Sequence, residues 1–218
     1  MADSDDHELA HRLATEAGAM LVDLRCQLTE EGATPAGLKA AGDRSAHLML
    51  MEALAEARPD DAVLSEEGRD NLGRLDADRV WIIDPLDGTT NFIHGVPQYA
   101  ISIGLAHKGV MQHSVVYDLN RNELFTASKG GGAFLNEKRI RVSKRAKLDE
   151  ALLGTGFPYR MFDHVDTYRA IFKDLAQKTA GMRRPGAASL DLAWVACGRF
   201  DGFWELGLSP WDIAGGSL

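Results

Sequence analysis

Cysteine is scarce in this 218-residue chain. Only Cys26 and Cys197 occur, and neither belongs to a Cys-x-x-Cys pair, which argues against a disulfide framework and against a cysteine zinc cluster. Basic charge is in the minority. The 24 Lys and Arg face 32 Asp and Glu, a formal net charge of −8, so direct, sequence-independent nucleic-acid binding lacks its basic footprint. No apolar run approaches the ~18 residues that a membrane helix needs. The start, Met1-Ala2-Asp3-Ser4-Asp5-Asp6, is acidic where a secretory signal would be basic. The expectation is a cytoplasmic protein without membrane contact. The histidines show no HExxH and no paired spacing, which disfavours zinc. Ala100-Ile101-Ser102-Ile103-Gly104 lacks the first glycine of a nucleophile elbow, and its alternation makes Ser102 a core residue. Gly130-Gly131-Gly132 lies between short strands and reads as a turn rather than a dinucleotide cradle.

What is present is ordinary globular material with clustered carboxylates. Leu9, Leu13, Met20, Leu21, Leu24 and Leu28 recur at helical spacing, predicting a helix from Asp5 to Leu28. A loop from Glu31 to Gly42 and a second helix from Arg44 to Ala57 follow. Ala62-Val63-Leu64 and Val80-Trp81-Ile82-Ile83 have the β-branched character of buried strands. Alternating segments from Ile101 to Ala127, joined at Lys108-Gly109 and Asn120-Arg121-Asn122, predict an antiparallel meander. Beyond Asp149 the pattern becomes strand (Leu152 to Gly156), helix (Val165 to Lys178), helix (Ala187 to Cys197) and strand (Gly202 to Glu205). A final helix begins at Trp211. The prediction is a mixed α/β protein with sub-domains at 1–148 and 149–218.

The strongest local signal is Asp84-Pro85-Leu86-Asp87-Gly88-Thr89-Thr90-Asn91-Phe92, entered from a buried strand. Pro85 is expected to stop the sheet pairing. Asp84 and Asp87 then converge across one turn with the Leu86 carbonyl between them, and oxygen ligands crowded in this way suit Mg²⁺. N–H groups after Gly88 can hold a phosphate where a short helix begins. A solvated Asp-Gly turn would explain Asp87-Gly88 alone. A second pair, Glu66-Glu67, ends the strand Ala62-Val63-Leu64-Ser65, and Asp212 follows Pro210-Trp211, where it could equally be a helix cap. Carboxylates beside a phosphate cradle are the parts of metal-assisted phosphoryl transfer.

With those residues in place, the chain resembles the inositol monophosphatase family of Mg²⁺-dependent, lithium-sensitive phosphatases. Asp84 to Phe92 matches the family's first signature, and Pro210-Trp211-Asp212-Ile213-Ala214-Gly215-Gly216 its second. The resemblance implies a layered αβαβα sandwich and two or three Mg²⁺ ions. Glu66, Asp84 and the Leu86 carbonyl resemble the ligands of one ion, and Asp84, Asp87 and Asp212 those of another. Thr89 with Asp43 resembles the pair that orients the attacking water. Gly88 and Thr89 would hold the phosphate, while Ala188 and Glu205 would line the inositol pocket. The implied reaction is in-line hydrolysis of inositol monophosphate by an activated water. A nucleotide 3′-phosphatase or other small phosphate-ester phosphatase is the alternative, and a catalytically impaired binding protein a further one. The resemblance also implies a homodimer and, from some bacterial relatives, contact with the transcription machinery.

The chain departs from that pattern in three places. Leu38-Lys39-Ala40-Ala41 stands where the family usually has a threonine and an acidic residue ahead of Asp43. Residues 41–88 lean toward the 3′-phosphoadenosine 5′-phosphate phosphatases and residues 90–218 toward bacterial inositol monophosphatase, the pattern of a chain joined near the shared signature. The chain also stops just after the second signature, so an incomplete C-terminal part and a weakened site at Asp212 are expected.

Overall fold

The computed structural model describes residues 2–70, 72–157 and 164–218. Helix α1 (Ala2–Glu30) and helix α2 (Pro35–Ala57) lie side by side. Their inward residues, Leu13, Leu21, Leu50 and Leu54, are fully buried. Helix α2 starts well before the expected Arg44. Thr34 caps it, its Oγ1 accepting the Gly37 N–H at 3.1 Å, and Pro35 supplies a preset φ at the first helical position. The expected loop from Glu31 to Gly42 therefore shrinks to a few residues, and Asp43 becomes a mid-helix residue.

The large sheet runs in sequence order through β1 (Ala62–Ser65), β2 (Arg79–Asp87), β3 (Ala100–His107), β4 (Val110–Asp118), β5 (Glu123–Ser128), β6 (Gly132–Leu135) and β7 (Lys138–Arg139). From β2 onward all pairs are antiparallel, as the short connections require. Strand β1 instead pairs parallel to β2, with Leu64 opposite Ile82, and the intervening segment makes the crossover. Pro85 does not end β2. The register slips between Asp84 and Asp87, and Asp87 resumes pairing opposite Ala100. Lacking an N–H, Pro85 is accommodated at this irregularity, which bends the strand and aims both aspartates.

Trp81, Ile83, Ile101, Ile103 and Val115 pack the sheet against α1 and α2. The other sheet face carries Val116 and Phe125, covered by Leu190 and Ala193 of helix α5 (Ala188–Ala196). Beyond α5 lies a second sheet, β10 (Gly202–Trp204), β8 (Leu152–Thr155) and β9 (Gly181–Arg183), all parallel with β8 central. The sequence reading missed β9. Helix α4 (Val165–Ala176) packs on it through Tyr168, whose ring centroid lies 4.8 Å from that of Trp204. The result is the expected αβαβα layering. Two short helices complete the site region: α3 (Thr89–His94), and α6 (Pro210–Ala214), which lies against β2 and β3. Among the described residues no helix is long and apolar enough to cross a membrane.

Buried charge fastens the layers. Asp6 of α1, almost fully buried, accepts from Arg58 at the end of α2 (2.8 Å) and from Arg79 of β2 (3.0 Å). Arg79 and the Trp81 indole both donate to Asp61, just ahead of β1. Removing either arginine would leave the Asp6 carboxylate buried with less compensation, which is strongly destabilising.

Candidate active site

A cleft of about 350 Å³ opens where the two sheets meet α6. Glu66, Asp84, Leu86, Asp87, Gly88, Thr89, Ala188, Glu205 and Asp212, all named from sequence, line it. Asp43 is not in that lining; it is buried in α2 with its Oδ2 accepting from Lys39 Nζ at 2.5 Å. Thr89 does line the cleft, and its hydroxyl donates to the Leu86 carbonyl there at 3.1 Å. Thr89 and Asp43, expected as the pair that orients the attacking water, are each hydrogen-bonded to a different partner. Lys39 stands one helical turn from Asp43, where an ion pair forms readily.

Local chemistry explains the placement of each group. Gly88 adopts φ 88°, a left-handed conformation that a side-chain-bearing residue resists, and this turns β2 directly into α3. Asp84 Oδ1 accepts the Leu86 N–H at 3.0 Å, which closes the turn. Asp87 Oδ2 accepts from the Ser189 N–H at 2.7 Å and from the Ser189 hydroxyl at 2.5 Å. Ser189 was missed from sequence; it lies 102 residues away and follows no motif. Asp212 Oδ2 accepts the Ser209 N–H at 2.6 Å in a capping box, so its cap and cleft positions coexist in one side chain.

The electrostatics are those of carboxylates held together. Burial pushes Asp84 well above the usual carboxylate range, and the nearby charges of Asp87, Glu66 and Asp212 add to it. Burial likewise raises Asp87 to about 7, against the opposing pull of the Ser189 hydrogen bonds. Glu66 is raised by burial and Glu205 by burial to about 7. Behind Asp87, the almost fully buried Asp191 is raised by burial to about 9. Glu66, Asp84, Asp87, Glu205 and Asp212 line the cleft, and Asp191 lies outside that lining. Among the described residues no three His, Cys, Asp or Glu side chains form a ready-made metal shell. Protein donors hold one oxygen each of Asp84, Asp87 and Asp212. The donor set is all oxygen and highly anionic, the chemistry of a hard divalent cation.

This arrangement has counterparts. The inositol monophosphatase family model matches residues 4–218. A putative Nus factor SuhB from Neisseria meningitidis is 56% identical over 176 residues, covering 81% of this chain and 67% of that one. An inositol-1-monophosphatase from Rhizobium meliloti is 47% identical over 184 residues, 84% of this chain and 69% of that one. The chain thus spans about two thirds of the length of these curated relatives. The solved structure of an inositol monophosphatase from Anabaena superposes with a TM-score of 0.86 at 39% identity, covering 99% of this chain and 80% of that one. Signature, layered fold and family match agree: the chain belongs to the inositol monophosphatase family, whose structural neighbours indicate a phosphatase of that type.

Proposed function

We propose that the chain is a Mg²⁺-dependent phosphomonoesterase that hydrolyses inositol monophosphate to inositol and phosphate. The observation that carries this reading is the carboxylate set in one cleft with the turn at Gly88: Asp84 and Asp87 buried, Glu66 and Asp212 half-buried beside them. In this reading Glu66, Asp84 and the Leu86 carbonyl hold one ion, and Asp84, Asp87 and Asp212 a second; a third is compatible with the charge present. When bound, Mg²⁺ supplies Lewis-acid stabilisation of the phosphoryl and leaving oxygens and acidifies a water. The chain's own residues do the rest. Gly88 and Thr89 present backbone N–H groups to the phosphate at the start of α3. Ser189 keeps Asp87 oriented through its two hydrogen bonds. The Thr89 hydroxyl is assigned to the attacking water, and Asp43 joins it only if the Lys39 contact yields. Glu205 and Ala188 face the leaving group.

The name of the Rhizobium relative supports inositol phosphate as the substrate. Relatives named Nus factors support a second reading, contact with the transcription machinery, for which the cleft itself supplies no argument. A homodimer is likewise part of the proposal. The test is phosphate release from inositol 1-phosphate and adenosine 3′,5′-bisphosphate, assayed side by side. Preferred turnover of inositol 1-phosphate supports the reading. Preference for the bisphosphate moves the assignment to the nucleotide phosphatases, and silence on both in a folded protein moves it to binding.

A further inference from the structure

The leaving-group end of the cleft is built by the carboxyl ends of three parallel strands. Gly156 and Phe157 follow β8, Arg184 and Gly186 follow β9, and Glu205 follows β10. In open sheets this edge is where ligands bind. Among the described residues the cleft is lined by five carboxylates, Glu66, Asp84, Asp87, Glu205 and Asp212, and one cationic side chain, Arg184. We infer that Arg184 is the specificity-determining residue for the leaving group. It donates to a hydroxyl of a neutral polyol while Glu205 accepts from a neighbouring one. This inference rests on the phosphatase reading above.

Two features fix the geometry. The Arg184 guanidinium carbon lies 5.1 Å from the centroid of the Phe157 ring, a cation–π contact that orients its planar fork. The Glu205 carboxylate lies directly against Gly156, where an added Cβ would overlap it. The charge balance selects the ligand. Arg184 interacts electrostatically with both Glu205 and Asp191, so the guanidinium is no unopposed anion site. A second phosphate on the leaving group would meet the Glu205 carboxylate. A neutral ring bearing adjacent hydroxyls meets one fixed acceptor beside one fixed donor fork, and both are satisfied.

The test compares the unaltered protein with Arg184→Met, which keeps the length and apolar contact with Phe157, and with Arg184→Lys. Substrates are inositol 1-phosphate, adenosine 3′,5′-bisphosphate and phenyl phosphate, whose leaving group has no further hydroxyl. Losing a charged donor to one hydroxyl is worth roughly ten- to a hundredfold. The expected result is a fall of about that size in the kcat/KM ratio of inositol 1-phosphate over phenyl phosphate, carried by KM, with partial recovery in Arg184→Lys. An equal loss on both esters would mean a purely structural role and overturn the inference. So would a loss confined to the bisphosphate, or an unchanged ratio. If the unaltered protein cleaves phenyl phosphate but not inositol 1-phosphate, the inositol reading and this inference fall together. If it cleaves both and the ratio is unmoved by substitution, only the inference falls.

Discussion

Asp84→Asn is expected to cut phosphate release by about a thousandfold or more, and at the same time to raise the melting temperature of the metal-free protein. The two effects have one origin. Asp84 is 1% exposed, and its carboxyl is held well above its usual range by burial and by three neighbouring acids. Folding the metal-free chain therefore works against that group. The amide removes the charge yet keeps an oxygen for the Leu86 N–H, the bond that closes the turn. At this chain length each kcal/mol recovered corresponds to roughly 2–4 °C. The lost activity follows because Asp84 is the ligand proposed to be shared by both ions. Calorimetry in chelator and in Mg²⁺, together with a phosphate assay, checks both halves. A lower melting temperature in chelator, or retained activity, would count against the account.

The second large effect is on pH. Metal-free protein is expected to be more stable near pH 6 than near pH 8, and Mg²⁺ is expected to remove or reverse that order. Asp87 and Glu205 titrate at about 7 and Asp191 at about 9 in the folded chain, against ordinary values of 3.8 for the aspartates and 4.5 for the glutamate. Above those ordinary values the folded state holds protons that the unfolded state has released. Stability from these groups is full below them and is lost as pH rises through 7 and toward 9. Two opposing contributions act at lower pH. His7, held below its usual value by burial and by His113 and His11, loses stability as pH falls through the imidazole range. Glu123, lowered by the Arg199 pair, and Asp61, lowered by Arg79 against its burial, lose theirs only in the acid range. Asp87, Glu205 and Asp191, together with the strongly raised Asp84, outweigh the one imidazole and set the sign between pH 6 and 8. Mg²⁺ competes with protons for the same oxygens, so its stabilisation grows as pH rises. Thermal melts at both pH values, with chelator and with Mg²⁺, decide the matter. A metal-free protein that is more stable at pH 8 would contradict the raised carboxyls.

How much of this was legible in the sequence depended on the range of the interaction. Asp84, Leu86, Asp87, Gly88 and Thr89 lie on one strand, turn and helix, so local pattern alone was enough to place them together. Glu66 could be read because β1 and β2 both end in acids, and their parallel pairing puts those ends on one edge. Asp212 was a candidate from its place after Pro210-Trp211 but took its ligand role, as Glu205 did entirely, from resemblance, since nothing local says which way α6 or β10 faces. Ser189 and Arg184 were missed for the same reason: their partners come from other layers of the sandwich. Two local signals were present but underweighted. Thr34-Pro35 is a helix start, and it moved α2 forward to include Lys39. Pro85 read as a strand end, but an edge-like irregularity lets a strand continue through proline, and that bend is what turns Asp84 and Asp87 to the cleft. Lys39 at one turn from Asp43 could have warned that the expected Thr89 partner was already engaged.

The central claim is that the carboxylates of the cleft serve a divalent-cation phosphatase. The most direct measurement is inorganic phosphate release from inositol 1-phosphate by the full chain, first with chelator and then with added Mg²⁺. The account predicts no release in chelator and turnover that rises and saturates with Mg²⁺. Release at the same rate in chelator would contradict it, as would a folded protein that stays silent on phosphate esters at every Mg²⁺ concentration.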